Sequence, residues 1–300
     1  MNPQVDNGRV FVRAPAKINL CLHVGAKRPD GFHELESLVA FTRLGDEILV
    51  EREDELQLSI GGPFAERLSS GDDNLVMKAA RALHVRSGIG ARISLLKKIP
   101  LASGVGGGSA DAAATLRALV RLWSLPISSD DLHTIAAQLG SDVPVCIESS
   151  PAWMTGRGEV VQLLPRLPEI SIVLVNPKVE VPTADVFRRL DKRRGTGLPA
   201  PMTAFSDADS LVQFLAGTTN DLQSPAIEIA PVIGRVIAEV DRLPGALMVR
   251  MSGSGATCFG LFESGETAKA SADLLRERHP DWWIVDTSVA PRELSLASAA

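Results

Sequence analysis

Residues 104–109 read Gly-Val-Gly-Gly-Gly-Ser, with a strand pattern ahead of them at 91–97 and an alanine-rich amphipathic run directly behind. Four glycines in five positions allow positive φ and let the backbone come close to a ligand. Successive N–H groups then turn inward as an anion cradle, and the helix behind adds its positive dipole end. Strand, glycine-rich loop and helix together make a phosphate-binding device, which restricts the chain to α/β architectures able to present one. No Gly-Lys-Ser/Thr follows, so the loop is not a Walker A motif. It is no clear dinucleotide loop either, because the acidic partner of such a loop is missing at the required distance. The alternative reading of the same residues is a flexible loop whose glycines serve packing.

A chain of 300 residues suits two domains or one large one. Its formal net charge of −5 gives no general pull toward nucleic acid or anionic membrane, so a phosphate has to be held by local donors. There is no tyrosine, and any ring stacked on a ligand must come from Phe, Trp or His. Cys21, Cys146 and Cys258 are odd in number and far apart, which argues against a disulfide framework or a zinc site. Residues 1–9 are polar and lack the apolar stretch of a signal peptide. No apolar run approaches the roughly 18–20 residues that a membrane span needs. The expectation is a soluble, cytoplasmic monomer or homodimer with small-molecule ligands, and neither nucleic acid nor membrane as partner.

Period-two alternation predicts strands at 8–14, 17–24, 38–44, 47–51 and 56–60. In the second of these, Lys17 and Asn19 share one face, and Ile18, Leu20, Leu22 and Val24 the other. Asn74 caps a helix that buries Leu75, Ala79 and Leu83. Ser128, with Asp131 three residues on, opens another helix that Gly140 stops. Beyond a boundary near 165–168 the predicted order is strand 170–175, helix 183–194, a Gly/Pro-rich loop 195–201 and a helical region 225–243 broken at Pro231. Strands at 247–251 and 257–262, a helix at 267–278 and a strand at 283–289 follow. That is the order of a ferredoxin-like split βαβ unit. The tail 294–300 is expected to fray.

The loop, with Pro100 ahead of it, resembles the nucleotide loop of the galactokinase, homoserine, mevalonate and phosphomevalonate kinase (GHMP) superfamily. Ala14-Pro-Ala-Lys-Ile-Asn-Leu20 resembles that superfamily's opening motif, and Met251-Ser-Gly-Ser-Gly-Ala256 its third, glycine-rich motif. Two further stretches, Arg28-Pro-Asp-Gly-Phe-His-Glu-Leu35 and Gly140-Ser-Asp-Val-Pro-Val145, are similar to the branch that acts on a cytidine diphosphate derivative. The resemblance implies a two-domain α+β fold. Residues 1–165 would form a mixed α/β domain for ATP binding and catalysis, and residues 166–300 a ferredoxin-like domain on the substrate side. It implies transfer of the γ-phosphate of ATP to the 2-hydroxyl of a methylerythritol unit, in the non-mevalonate route to isoprenoid precursors.

The same resemblance distributes roles. Asp142 would be the base and Lys17 a cation supporting alkoxide character at the acceptor. Lys97, Pro100, Gly104, Val105, Gly106, Gly107, Gly108 and Ser109 would hold the nucleotide. Asn19, Phe32, His33 and Thr183 would contact the acceptor, Phe32 as a stacking ring for the base. Mg²⁺ is expected to bridge the phosphates, because few lysines can reach that charge, with Ser109 as a candidate ligand. An N-cap role would explain Ser109 equally well. The chain departs from the family pattern at Phe32, where tyrosine is usual, at Val105, where leucine is usual, and at Ala110 and Asp111, which replace serine and asparagine. Two alternatives stay open: another GHMP kinase, acting on mevalonate, homoserine or a sugar, and a nucleotide-sensing protein on the same fold.

Overall fold

The computed structural model describes all residues except 1–3, 7, 165, 191–194, 196, 198–204 and 290–300. The expected tail at 294–300 and most of the expected loop at 195–201 therefore lie outside the described residues, as does the first residue of the expected boundary.

The first half builds an eight-stranded sheet. Its elements are β1 (Gln4–Asp6), β2 (Arg9–Asn19), β3 (His23–Lys27), β4 (His33–Glu53), β5 (Leu56–Gly61), α1 (Leu75–Ser87), β6 (Gly90–Leu96), α2 (Gly107–Trp123), α3 (Ser129–Leu139), α4 (Val143–Glu148), β7 (Ala152–Thr155) and β8 (Val160–Leu163). The strand order is β1-β2-β4-β6-β5, with β3 and β7 also on β4, and β8 on β7. The sequence reading breaks the first long strand at Pro15. In the structure β2 continues through it, because the prolines's missing N–H falls at an irregularity opposite Gly45. A Cβ at Gly45 would lie 2.5 Å from the Ala14 carbonyl oxygen, so glycine permits this close crossing. For the same reason the predicted strands 38–44 and 47–51 are one strand, β4.

The cap signals hold. Asn74 accepts from the Val76 N–H at the start of α1, and Ser128 from the Asp131 N–H at the start of α3. The buried alanines of α2 lie in one apolar cluster with Val10, Val12, Ile48, Val50 and Ile93 of the sheet. Small side chains let the helix sit close to the strands, which brings its amino-terminal end over β2.

The second half comprises β9 (Ser171–Asn176), α5 (Thr183–Arg188), α6 (Ala208–Ala216), α7 (Gln223–Ile229), α8 (Val232–Asp241), β10 (Ala246–Met251), β11 (Cys258–Phe262), α9 (Gly265–Arg278) and β12 (Trp283–Ser288). The strands form an antiparallel sheet in the order β10-β11-β9-β12. This is the split βαβ arrangement expected from the order of elements. The helix expected over 183–194 is shorter, with its last four residues outside the described set. The helical region 225–243 is two helices, with Pro231 as the cap of the second. The sequence reading assigned neither α6 nor the β7–β8 hairpin.

A second apolar cluster joins the two sheets. It unites Ile18, Leu20 and Leu38 with Ile172, Leu174 and Phe259. Arg250 in β10 is buried there and donates to the Leu20 carbonyl at 2.7 Å and the Thr218 carbonyl at 2.9 Å. Among the described residues no helix is long and apolar enough to cross a membrane.

Candidate active site

The opening motif, the glycine loop and the third motif meet. The Lys17 N–H donates to the Val105 carbonyl at 3.0 Å, tying the loop to β2. The Ser252 hydroxyl donates to the Gly104 carbonyl at 3.0 Å and accepts from the Asn19 N–H at 3.1 Å. Asn220 holds the third motif from behind, donating to the carbonyls of Met251 and Gly253 at 2.8 Å each. The contacts are close enough to require glycine. At Gly104 φ is +77° and a Cβ would lie 2.6 Å from the Ser252 carbonyl oxygen. At Gly106 φ is +65° and a Cβ would lie 3.2 Å from the Lys17 Cβ.

Gly106 is also the N-cap of α2, with no side chain capping it. The first N–H groups of the helix are thus left for a ligand. Ser109 lies inside the first turn, so capping does not account for its hydroxyl. Val105 is fully buried, and only its backbone faces the loop.

Two hollows lie on either side of this loop. One, of about 460 Å³, is lined by Pro100, Lys97, Gly107, Gly108 and residues of the 67–76 segment. The other is a cleft of about 1000 Å³ containing Lys17, Asn19, Asp142, Phe32, His33 and Thr183. Gly104, Gly106 and Ser109 line both.

In the larger cleft, Lys17 Nζ donates to Asp142 Oδ2 at 2.6 Å. The lysine side chain is only 4% exposed, whereas the aspartate is 39% exposed. Asp142 is the N-cap of α4, but its side chain makes no cap hydrogen bond. Its carboxylate is therefore directed to Lys17 and the cleft, not spent on the helix. Asn19 is buried and donates to the Ser37 hydroxyl at 2.8 Å, which in turn donates to the Cys21 carbonyl at 2.6 Å. Thr183 and Ser254 share a hydrogen bond at 2.8 Å, linking α5 to the third motif.

Phe32 stands at the cleft, 47% exposed. The His33 ring stacks on Phe187 with centroids 5.5 Å apart and planes at 19°. His33 Nδ1 lies 3.3 Å from the Gly25 carbonyl oxygen. A carbonyl only accepts, so Nδ1 is the donor in this contact, and in that tautomer Nε2 is left as an acceptor. Phe187 and Ser37 escaped the sequence reading because an aromatic in a helix and a serine in a strand carry no local mark of a site.

Lys97 sits differently from a lysine waiting for a nucleotide. Its side chain is 2% exposed, and Nζ is held by Asp46 and, at 2.7 Å, by Asp111 Oδ2. Asp46 also accepts from the backbone N–H groups of Lys98 at 2.5 Å and Ile99 at 2.9 Å. A Cβ on Gly107 would lie 3.0 Å from the ammonium. Lys97 thus supports the loop from below as part of an ion-paired cluster. Burial alone would lower the ammonium, but Asp111 and Asp46 outweigh it and hold it above the ordinary lysine value. Two carboxylates share one cation, and burial pushes the Asp111 carboxyl up to about 8 against the pull of Lys97. Burial thus favours the neutral form of Asp111, and the ion pair with Lys97 offsets the charge that the departure at 111 places beside the phosphate loop.

That shift sets a pH dependence of stability. The folded chain holds the Asp111 proton to about 8, whereas the unfolded carboxyl loses it near 3.8. Stability from this group is complete below the lower value and declines as pH rises across that window. The raised Lys97 loses its proton only above the window, so it leaves the slope unchanged. Asp111→Asn is expected to flatten the slope of Tm between pH 5 and pH 9. A mutant slope equal to that of the parent would remove Asp111 as its source.

Residues 74–150 match the family described as GHMP kinases N terminal domain, and residues 202–281 match GHMP kinases C terminal. With the loop, the lysine–aspartate pair and the split βαβ half already in place, the chain falls in the GHMP class of small-molecule kinases. Similarity extends further. A 4-diphosphocytidyl-2-C-methyl-D-erythritol kinase of Cereibacter sphaeroides is 49% identical over 278 residues, 92% of this chain and 98% of the relative. Another, of Parvibaculum lavamentivorans, is 46% identical over 93% of this chain and 97% of its own length. A crystal structure of a 4-(cytidine 5'-diphospho)-2C-methyl-D-erythritol kinase superposes with a TM-score of 0.76 at 34% identity, covering 93% of this chain and 99% of that one. The chain belongs to the 4-diphosphocytidyl-2-C-methyl-D-erythritol kinase family.

Proposed function

We propose that the protein transfers the γ-phosphate of ATP to the 2-hydroxyl of 4-diphosphocytidyl-2-C-methyl-D-erythritol, in the non-mevalonate (MEP) pathway to isoprenoid precursors. The observation that carries this reading is the Lys17–Asp142 pair at 2.6 Å, in the cleft across the glycine loop from the smaller hollow. ATP would enter the smaller hollow with its phosphates on the loop and the start of α2. The acceptor would occupy the larger cleft with its hydroxyl at Asp142. Residues 1–165 then supply the ATP loop and the pair, and residues 166–300 the opposite wall through Thr183, Phe187 and the third motif.

Phosphoryl transfer passes through a loose transition state, and catalysis is mostly positioning and electrostatics. Asp142 orients the hydroxyl by accepting its hydrogen bond and takes the proton late. Lys17, held in place by burial, stabilises the charge gathering on the attacking oxygen. Mg²⁺ belongs to the MgATP substrate and supplies charge neutralisation at the phosphates when bound. The donor set fits such an ion. Among the described residues no three His, Cys, Asp or Glu side chains gather into a metal site. In phosphoryl-transfer sites Mg²⁺ rests mainly on substrate phosphates and water with few protein ligands, a loop Ser/Thr hydroxyl among them, and the Ser109 hydroxyl would be that ligand.

For the base, Phe32 offers a half-exposed face, and His33 Nε2 an acceptor suited to the exocyclic amine of cytosine. Phe32→Ala is expected to raise KM for the cytidine acceptor about tenfold, within the span of a lost base stack, and to leave KM for ATP unchanged. Equal losses for both substrates would mark a folding defect instead. Placement in the cytoplasm belongs to the same reading and is supported by three buried, unpaired cysteines.

The test of the whole reading is ADP release with MgATP and four acceptors: the cytidine compound, mevalonate, homoserine and galactose. Turnover with the cytidine compound alone is expected. Activity on another acceptor would keep Asp142 and discard the substrate, and no activity with ATP bound would favour a sensing protein.

A further inference from the structure

Arg157 has no place in the roles above. It lies in the Gly156–Glu159 turn between β7 and β8. Gly156 at φ +69° and Gly158 at φ +117° let this turn close. The Gly156 carbonyl accepts from the Leu35 N–H at 2.6 Å, and the Arg157 N–H donates to Glu159 Oε2 at 2.6 Å. The backbone at 157 is thus fastened to the substrate-side segment at the edge of the larger cleft.

The side chain runs over Phe32, with its guanidinium carbon 5.1 Å from the ring centroid. That is a cation–π distance. It covers part of the ring while Phe32 remains 47% exposed. The Arg157 side chain is only 33% exposed, and its nearest acid, Glu159 Oε1, stands 3.9 Å from Nε. That separation is too long for a hydrogen bond. Among the described residues its guanidinium has no hydrogen-bond acceptor. Neighbouring arginines differ: Arg28 is held by Asp30 and Glu34, and Arg188 by Asp185. A partly desolvated cation therefore lines the cleft, as Lys27 does, with one acid at the limit of ion-pair distance and none at hydrogen-bond distance among the described residues. Glu159 offsets its charge only at the edge of ion-pair distance, which leaves the guanidinium able to take a second anion. A guanidinium meets two phosphate oxygens at once, which an ammonium does not.

We propose that Arg157 is a specificity-determining residue that binds the diphosphate of the acceptor substrate, while its stacking on Phe32 sets that ring under the base. This rests on the reading of the acceptor as a cytidine diphosphate derivative. The stack couples the two halves of recognition: the cation that holds the phosphates also fixes the platform for the base.

The test is calorimetric titration of the full chain, without ATP, with CDP and with cytidine, for the parent and for Arg157→Gln. Arg157→Met, which keeps the apolar stem over the ring, is measured in parallel. The parent is expected to bind CDP more tightly than cytidine. Both variants should lose about ten- to a hundredfold in CDP affinity, as expected for a lost charged hydrogen-bond pair, and much less for cytidine. In steady state, KM for the acceptor should rise while kcat and KM for ATP hold. ATP binding certifies the fold, and if Arg157→Gln fails that check, Arg157→Met carries the comparison. Unchanged CDP affinity would overturn the proposal, and so would equal weakening of CDP and cytidine, which would leave Arg157 as a mere support for Phe32. A parent chain that binds neither ligand would instead remove the acceptor assignment, and this inference with it.

Discussion

Asp142→Asn is expected to lower kcat by about a hundred- to ten-thousandfold, the span that a positioned general base contributes, and to leave KM for ATP nearly unchanged. The split follows from where Asp142 sits. It faces the larger cleft, proposed for the acceptor, and the hollow proposed for ATP lies across the glycine loop. Asparagine keeps the size and one acceptor oxygen for the Lys17 ammonium, but it cannot take the hydroxyl proton. Steady-state kinetics with ATP and acceptor varied separately, beside direct titration with ATP, make the check. A kcat within about threefold of the parent would remove Asp142 as the base, because so small a loss lies far below that contribution. Removing the side chain outright should harm the fold more than removing Lys17. The ammonium is 4% exposed and would be left buried without its partner, whereas the 39% exposed carboxylate can turn to water.

Lys17→Ala is expected to lower kcat by about a hundred- to a thousandfold, the cost of losing one preorganised donor to developing charge. KM for ATP should rise far less. Lys17 meets the loop through its backbone N–H, which alanine retains, and its ammonium is turned to Asp142. A change confined to KM would make Lys17 a binding residue. The double variant Lys17→Ala/Asp142→Asn offers a sharper reading. At 2.6 Å the two groups act as a unit, so their effects should not add. Additive losses would separate them into independent roles.

Much of the fold was legible because its signals are local. The glycines at 104, 106, 107 and 108, the caps Asn74 and Ser128, and the break at Pro231 act on the backbone within a few residues of themselves. The order of elements in the second half, combined with short connections and antiparallel pairing, sufficed for the split βαβ sheet. The joining of predicted strands into β2 and β4 was not legible, since Pro15 is tolerated here by a register shift opposite Gly45 that the sequence of either strand does not show.

The chain's own order of residues therefore determined the phosphate loop and the class of sheet, because these follow from backbone freedom and periodicity, whereas Lys17 and Asp142 became candidates only through the resemblance of their motifs to a known family. Only the tertiary structure decided what those groups do to one another. Lys17 and Asp142 are 125 positions apart, and Ser252 reaches Gly104 across 148. Lys97 became a buried partner of Asp46 and Asp111, and Arg157 arrived over Phe32 on a hairpin with no local mark. Such pairings depend on strand register and on the apolar joint between the two sheets, which are set by the burial of distant surfaces against each other and leave no trace in any short stretch of sequence.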